Sequence, residues 1–337
     1  MPWLIAAGIL AFLITRLPRR QLLDALGAGP SWGIGLYSAA LMAATLLADA
    51  LATRIAFAAT GVVCPWSEVL LARGATYLLG VLNAAVGQGG MGLYLHRAGV
   101  GPLRATGTIV FLLATQLGAL ALVATAGALA AGGSGLPGVP AMVSLPAGGG
   151  FSLPAGGAAG PAAALGPAPG HWLPWLGLLA AGLCAYLALV RWRPRALARR
   201  EVLAPLFAAG AGGFLRAIAA RAPHVLLLLV GLWGGLRMWG VELPLGQGLV
   251  LLAAVLLVML LPIAPAGIGT QELALVTWIS PFAPHAEAAA RQASVLAFSL
   301  VFHLFGLVAQ AALGLLCLGV LQRRKATGGA AALSVEP

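Results

Sequence analysis

The chain has 337 residues, 61% of them hydrophobic and only 8% charged, with a formal net charge of +11. A water-soluble domain carries roughly 25% charged residues and seldom exposes large apolar patches. This composition therefore excludes a soluble enzyme and points to an all-α, polytopic helical membrane protein. The positive balance reads as basic loops facing the cytoplasm and its anionic lipid, with no nucleic-acid partner.

From the N-terminus, the first apolar stretch (roughly 2–15) has its charges after it, at Arg16, Arg19 and Arg20. That order predicts an uncleaved first helix and not a signal peptide. Further apolar runs near the roughly 20 residues needed to cross a bilayer fall at about 33–59, 67–86 and 106–131. A charge-free insert rich in Gly, Pro and Ala follows at 132–171. It has too few large apolar residues to build a core and is expected to be a disordered external loop. The second half carries runs at about 172–190, 222–240, 244–262 and 292–320, and a shorter piece at 270–282 after a Pro/Gly interruption. The expected organisation is an N-terminal helical half (1–131), the external loop (132–171), a C-terminal helical half (172–325) and a disordered tail (326–337). This amounts to about eight or nine transmembrane segments.

Arginine placement predicts orientation. The basic sites are Arg16, Arg19 and Arg20; Arg97 and Arg104; Arg191 to Arg200 with Arg216 and Arg221; and Arg323, Arg324 and Lys325. All face the cytoplasm if the N-terminus lies outside and 270–282 crosses. If 270–282 is re-entrant, the parity fails at one of them. The expected location is the inner (plasma) membrane, with a cytoplasmic C-terminus and anionic lipid at the arginine clusters.

Two segments interrupt apolar helices with glycine: Leu78 to Arg97 and Leu260 to Val276. Aligning Gly87 with Gly267 also places Gly89 on Gly269. Corresponding breaks in two halves predict a pseudo-repeat whose broken segments, crossing or re-entrant, meet at a midplane site. Backbone groups freed around Gly87, Gln88, Gly89 and Gly90, and around Pro265, Gly267 and Gly269, must then face protein or water. Glu272 has two readings. Thr270 can cap the helix that follows and leave Glu272 on its first turn, where a carboxylate is favourable. Alternatively it is an intramembrane acid that binds a cation, a proton or an amine headgroup. Polar stripes run along the last helix (Gln292, Ser299, His303, Gly306, Gln310) and the second (Ser38, Thr45, Asp49), and are expected to face the bundle interior. Asn83, Gln271, Asp49 and His303 join the candidate site.

Zinc, Walker and nucleophile-elbow patterns are absent, and Cys64, Cys184 and Cys317 show no metal spacing. No enzymatic activity, cofactor or metal is expected.

Pro265, Gly267, Gly269 and Glu272 after LLP, with the looser segment Asn83 to Arg97 followed by Gly99, Arg104 and Ala105, resemble the flippase-like family that includes the transmembrane region of lysylphosphatidylglycerol synthases. The resemblance spans most of the chain outside 132–171. Where many members carry an acid and an arginine in the Asn83 to Arg97 segment, this chain has Met91 and Tyr94. The resemblance implies a multi-helix inner-membrane protein that moves a lipid or lipid-linked molecule between leaflets. The alternative it leaves is a non-transporting assembly factor that works with enzymes of envelope-lipid biosynthesis.

Overall fold

The computed structural model describes residues 2–130, 173–198, 200–260, 264–326 and 334–335. The insert expected as a disordered loop lies outside the described residues. So does most of the tail beyond Ala326, apart from a two-residue strand, β2 (Ser334–Val335), that pairs antiparallel with β1 (Val62–Val63).

The rest is helical. The first half runs α1 (Pro2–Arg16), α2 (Arg19–Ala28), α3 (Ser31–Ala59), α4 (Trp66–Leu82), α5 (Ala84–Arg97) and α6 (Pro102–Ala130). The second runs α7 (Leu173–Trp192), α8 (Arg195–Ala198), α9 (Ala204–Met238), α10 (Leu245–Leu260), α11 (Thr270–Ile279) and α12 (Ala288–Ala326). Four of them, α3, α6, α9 and α12, contain stretches long and apolar enough to cross a membrane. Their outer faces carry exposed Leu36, Leu47, Leu122, Val230, Leu304 and Leu315, while Ser38, Thr45, Asp49, Thr108 and Ser299 are buried. Apolar outside and polar within is the pattern of helices bathed in lipid.

Both halves repeat one sequence of lengths. A long helix (α3 of 29 residues, α9 of 35) leads to a shorter one (α4 of 17, α10 of 16). A break and a short helix follow (α5 of 14 residues, α11 of 10), then a second long helix (α6 of 29, α12 of 39). Packing follows the same correspondence: α3 lies against α9, α4 against α12, and α10 against α6. The α3–α9 pair is antiparallel. Gly33 faces Met238, Leu41 faces Gly231, Asp49 faces Arg221 and Ala59 faces Gly213.

The first break differs from the expected position. Gly87 to Gly90 lie inside α5, and the Gly87 N–H donates to Asn83 O at 3.0 Å as in any helix. The helical path breaks at Asn83, which is extended (φ −169°, ψ 141°) and caps α5 by accepting from the Ala85 N–H at 2.8 Å. The chain then doubles back. Gly87 packs on the backbone of Gly80, and near the other end the Tyr94 hydroxyl lies 3.4 Å from a Glu68 carboxylate oxygen. The predicted span at 67–86 is thus the first arm and the turn of a hairpin. Glycine here serves close helix packing, which hydropathy cannot tell from a break. The second break is of the expected kind. A 3-10 turn, Pro265–Gly267, separates α10 from α11, with positive φ at Ala266, Gly267 and Gly269.

Contacts sort the loops to two ends of the bundle. Arg324, near the end of α12, donates to Ser67 at 3.1 Å, and Val202, just before α9, lies against Gly107 near the start of α6. This end therefore gathers Arg97, Arg104, Arg200 and Arg324. At the opposite end of α12, Gln21 of α2 donates to Glu287 at 3.0 Å, which places Arg19 and Arg20 there. The four basic sites thus do not share one side. Arg221, read from sequence as a loop arginine, is only 3% exposed and sits well inside α9. Formal charge depresses hydropathy whether or not a partner neutralises it.

Candidate functional site

The two hairpins face one cavity of about 280 Å³. From the first hairpin it is lined by Arg73, Tyr77, Gly80, Gly87 and Gln88; from the second, by Leu256, Met259, Ala266 and Gln271. Two long helices close it with their polar stripes, α3 with Ser38 and Thr45 and α12 with His303, Gly306 and Gln310. Segments distant in the chain converge here because each hairpin packs on a long helix of the other half. The Gln310 amide donates to Tyr77 O at 2.9 Å, tying the second half to the first at the cavity wall.

Behind the α3 wall sits a charged cluster. Asp49, 1% exposed, accepts from Arg73 Nε at 2.6 Å through one oxygen and from Arg221 Nη1 through the other. The Tyr77 hydroxyl lies 3.3 Å from the oxygen that faces Arg73. Arg73 also reaches Gln88 Oε1 at 3.4 Å, so the cluster bridges α3, α4, α5 and α9. A single buried charge at this depth would cost several kcal/mol, roughly, and the pairing with added hydrogen bonds is what makes it tolerable. Sequence reasoning found Asp49 but neither guanidinium. Asp49 lies one turn from Thr45 on a marked polar stripe, whereas Arg73 and Arg221 stand alone in runs read only for hydropathy.

Glu272, also 1% exposed, lies in the first turn of α11, as the capping reading expects. Its Oε2 accepts from the Gly269 N–H at 2.5 Å, and its Oε1 lies 2.8 Å from His303 Nδ1 and 3.5 Å from Ser299 Oγ. Gly269, not Thr270, is the N-cap. Thr270 is the first helical residue, and its hydroxyl donates back to Gly267 O at 3.0 Å. Gly269 holds φ +85° against α1, where a side chain would meet Ala6 O and Ile9. Glu272 does not line the cavity; its neighbours Gln271 and His303 do. His303 Nε2 is left as the ring's other polar atom at a residue lining the cavity.

The remaining predicted residues divide by position. Gly87 and Gln88 line the cavity and Asn83 shapes the hairpin turn. Gly89 is exposed with open space around it, and Gly90 packs against Leu79 of α4. Pro265 and Gly267 form the buried second turn. Among the described residues no group of His, Cys, Asp or Glu is placed to hold a metal ion. Compared with known proteins, the chain matches no family model and no curated sequence.

Proposed function

We propose that the protein moves a lipid headgroup between membrane leaflets through the cavity shared by its two hairpins. The observation that carries this reading is the convergence of both hairpins and both polar stripes on one cavity inside the bundle. On this reading α3–α6 and α9–α12 form an inverted repeat, and α4–α5 and α10–α11 are re-entrant hairpins. Length supports the latter: α5 and α11, of 14 and 10 residues, rise about 21 and 15 Å, short of a hydrocarbon core of about 30 Å. The longer elements α3, α6, α7, α9 and α12, of 20 to 39 residues, then account for five crossings, and α1, of 15 residues, falls short by the same measure. The end bearing Arg97, Arg104, Arg200 and Arg324 faces the cytoplasm, and Arg19 and Arg20 face outward. The cavity accommodates a headgroup but not acyl chains, which stay in lipid. Glu272 acts from behind the wall, setting the α11 turn and the orientation of His303. The chain's resemblance to flippase-like proteins of the lysylphosphatidylglycerol synthase group fits the same function.

The test is translocation in liposomes. Purified protein is reconstituted with fluorescent phosphatidylglycerol, and a membrane-impermeant quencher reports the outer-leaflet fraction with time. Gly306 lines the cavity and has no neighbour within 4 Å of a would-be side chain. Gly306→Phe should therefore fill the space with little loss of folding and stop movement. Equal rates in empty, wild-type and Gly306→Phe liposomes would reject transport and leave the assembly-factor alternative.

A further inference from the structure

The cavity's charge has a sign. Asp49 is one carboxylate held between two guanidiniums, Arg73 and Arg221, so the cluster carries one uncompensated positive charge. Arg73 is the member that lines the cavity, with its side chain 11% exposed. Among the described residues no Asp or Glu lines the cavity, and Glu272 is turned away into Gly269, Ser299 and His303.

A second observation is independent of charge. Ser38 Oγ and Thr45 Oγ1 are buried side-chain atoms without a hydrogen-bond partner, on residues 2% exposed, and both residues line this cavity. Arg221 Nε in the adjoining cluster also lacks a partner. Buried hydroxyls left unsatisfied are destabilising, a deficit that an acceptor-rich occupant would remove. Guanidinium and hydroxyl donors from α4 and α3, with no carboxylate among the described lining residues to oppose them, suit an anion with several acceptor oxygens.

We infer that the cavity is a phosphate-recognition site in which Arg73 and Thr45 bind an anionic phosphate group, Ser38, two turns away on α3, offers its hydroxyl to the rest of the headgroup, and Asp49 serves as the internal counter-ion that the phosphate competes with. This inference rests on the translocation reading and names its headgroup chemistry. An incoming phosphate draws on Arg73 while Arg221 keeps Asp49 neutralised. Two arginines on one acid thus allow one to be lent without stranding a buried carboxylate. The ligand is anionic, in contrast to the cationic or amine group that Glu272 alone suggested.

The experiment is a thermal-unfolding titration of the full chain in a neutral maltoside detergent. One arm adds sodium phosphate against sodium chloride at equal ionic strength. The other adds phosphatidylglycerol against monogalactosyl diacylglycerol, a neutral lipid without phosphate. Stabilisation by phosphatidylglycerol alone assigns the site to a lipid headgroup, and stabilisation by both assigns it to phosphate from either source. Arg73→Gln keeps Asp49 paired with Arg221 and should weaken half-saturation about tenfold or more, as expected for loss of a charged hydrogen bond. Ser38→Ala combined with Thr45→Val removes no existing hydrogen bond of these hydroxyls to another side chain and leaves the charge unchanged. It should fold normally and weaken half-saturation about threefold or more, which keeps the test decisive if Arg73→Gln does not fold. No stabilisation in either arm, or equal stabilisation in wild type and every folded variant, overturns the inference. Translocation is scored separately. A protein that binds phosphatidylglycerol here without moving it refutes transport but not the site; one that moves lipid without phosphate-dependent stabilisation does the reverse.

Discussion

The two hairpins solve one problem by different chemistry. At the first, α4 turns into α5 at a single residue, Asn83, whose own side chain caps the new helix. The glycines that follow are helical, and Gly87 and Gly90 let α5 lie on α4. At the second, the turn has three residues of positive φ, and its cap comes from the carboxylate of Glu272. The buried acids differ accordingly. Asp49 is neutralised by arginines from two other helices, whereas Glu272 satisfies a backbone N–H and a histidine. The first half thus holds charge beside the cavity and the second holds backbone shape, so substitutions should separate the two roles.

The largest effect is expected at Asp49. Asp49→Asn leaves Arg73 and Arg221 facing each other without a counter-charge, and breaking a buried pair in this way costs about 3–5 kcal/mol. The unfolding temperature in detergent should fall steeply and recover in phosphate more than in chloride. A mild fall that no anion reverses would mean the two guanidiniums find other partners.

Next comes the second turn. Gly269→Ala places a Cβ at φ +85° within about 3 Å of Ala6 O and Ile9. The left-handed conformation alone costs roughly 1–2 kcal/mol, and displacing α1 adds to it. Unfolding temperature and membrane abundance should both drop. A neutral result would show that α1 moves aside freely.

Such contrasts were only partly legible in the sequence. Helix class, the four long apolar helices and the second break follow from local composition: apolar run length, Pro265, and glycines where φ is positive. Cys317 over Gly74, Arg221 on Asp49 and His303 on Glu272 join residues far apart in the chain, and no periodicity encodes them. The first break lies at Asn83 and not at Gly87 because the Gly87/Gly89 pair matches Gly267/Gly269 in sequence spacing but not in backbone conformation. Asn83, a strong N-cap type before a Gly-rich helix, was the better signal.

Glu272→Gln should be milder. The amide oxygen still accepts from the Gly269 N–H, and the amide nitrogen donates to His303 Nδ1 in the imidazole tautomer that carries its proton on Nε2, so the loss is the charged part of these interactions, about 0.3–1 kcal/mol and up to roughly 2 when partly buried. Because Glu272 does not line the cavity, phosphatidylglycerol half-saturation should change less than in Arg73→Gln. A Glu272→Gln protein that folds normally but loses phosphate binding outright would place the carboxylate in the site itself.

The smallest effect separates the two glycines of the first hairpin and has opposite signs. Gly89 lies within α5, exposed, with nothing within 4 Å of a would-be Cβ and no positive φ. Gly89→Ala should therefore gain about 0.5–1 kcal/mol from reduced backbone freedom in the unfolded chain and better helix propensity. Two residues away, a Cβ at Gly87 would sit 3.1 Å from Gly80 Cα, with Thr76 O at 3.3 Å. Those are backbone atoms of α4 and cannot rotate aside. Gly87→Ala must spread the hairpin, at a cost of about 1–3 kcal/mol for overpacking, and it shifts the wall that carries Gln88 and Arg73. Unfolding temperature should rise for Gly89→Ala and fall for Gly87→Ala, and only the second should weaken phosphate-dependent stabilisation. Were Gly89 the true break in the helix, both would destabilise together, and the assignment of the turn to Asn83 would be lost.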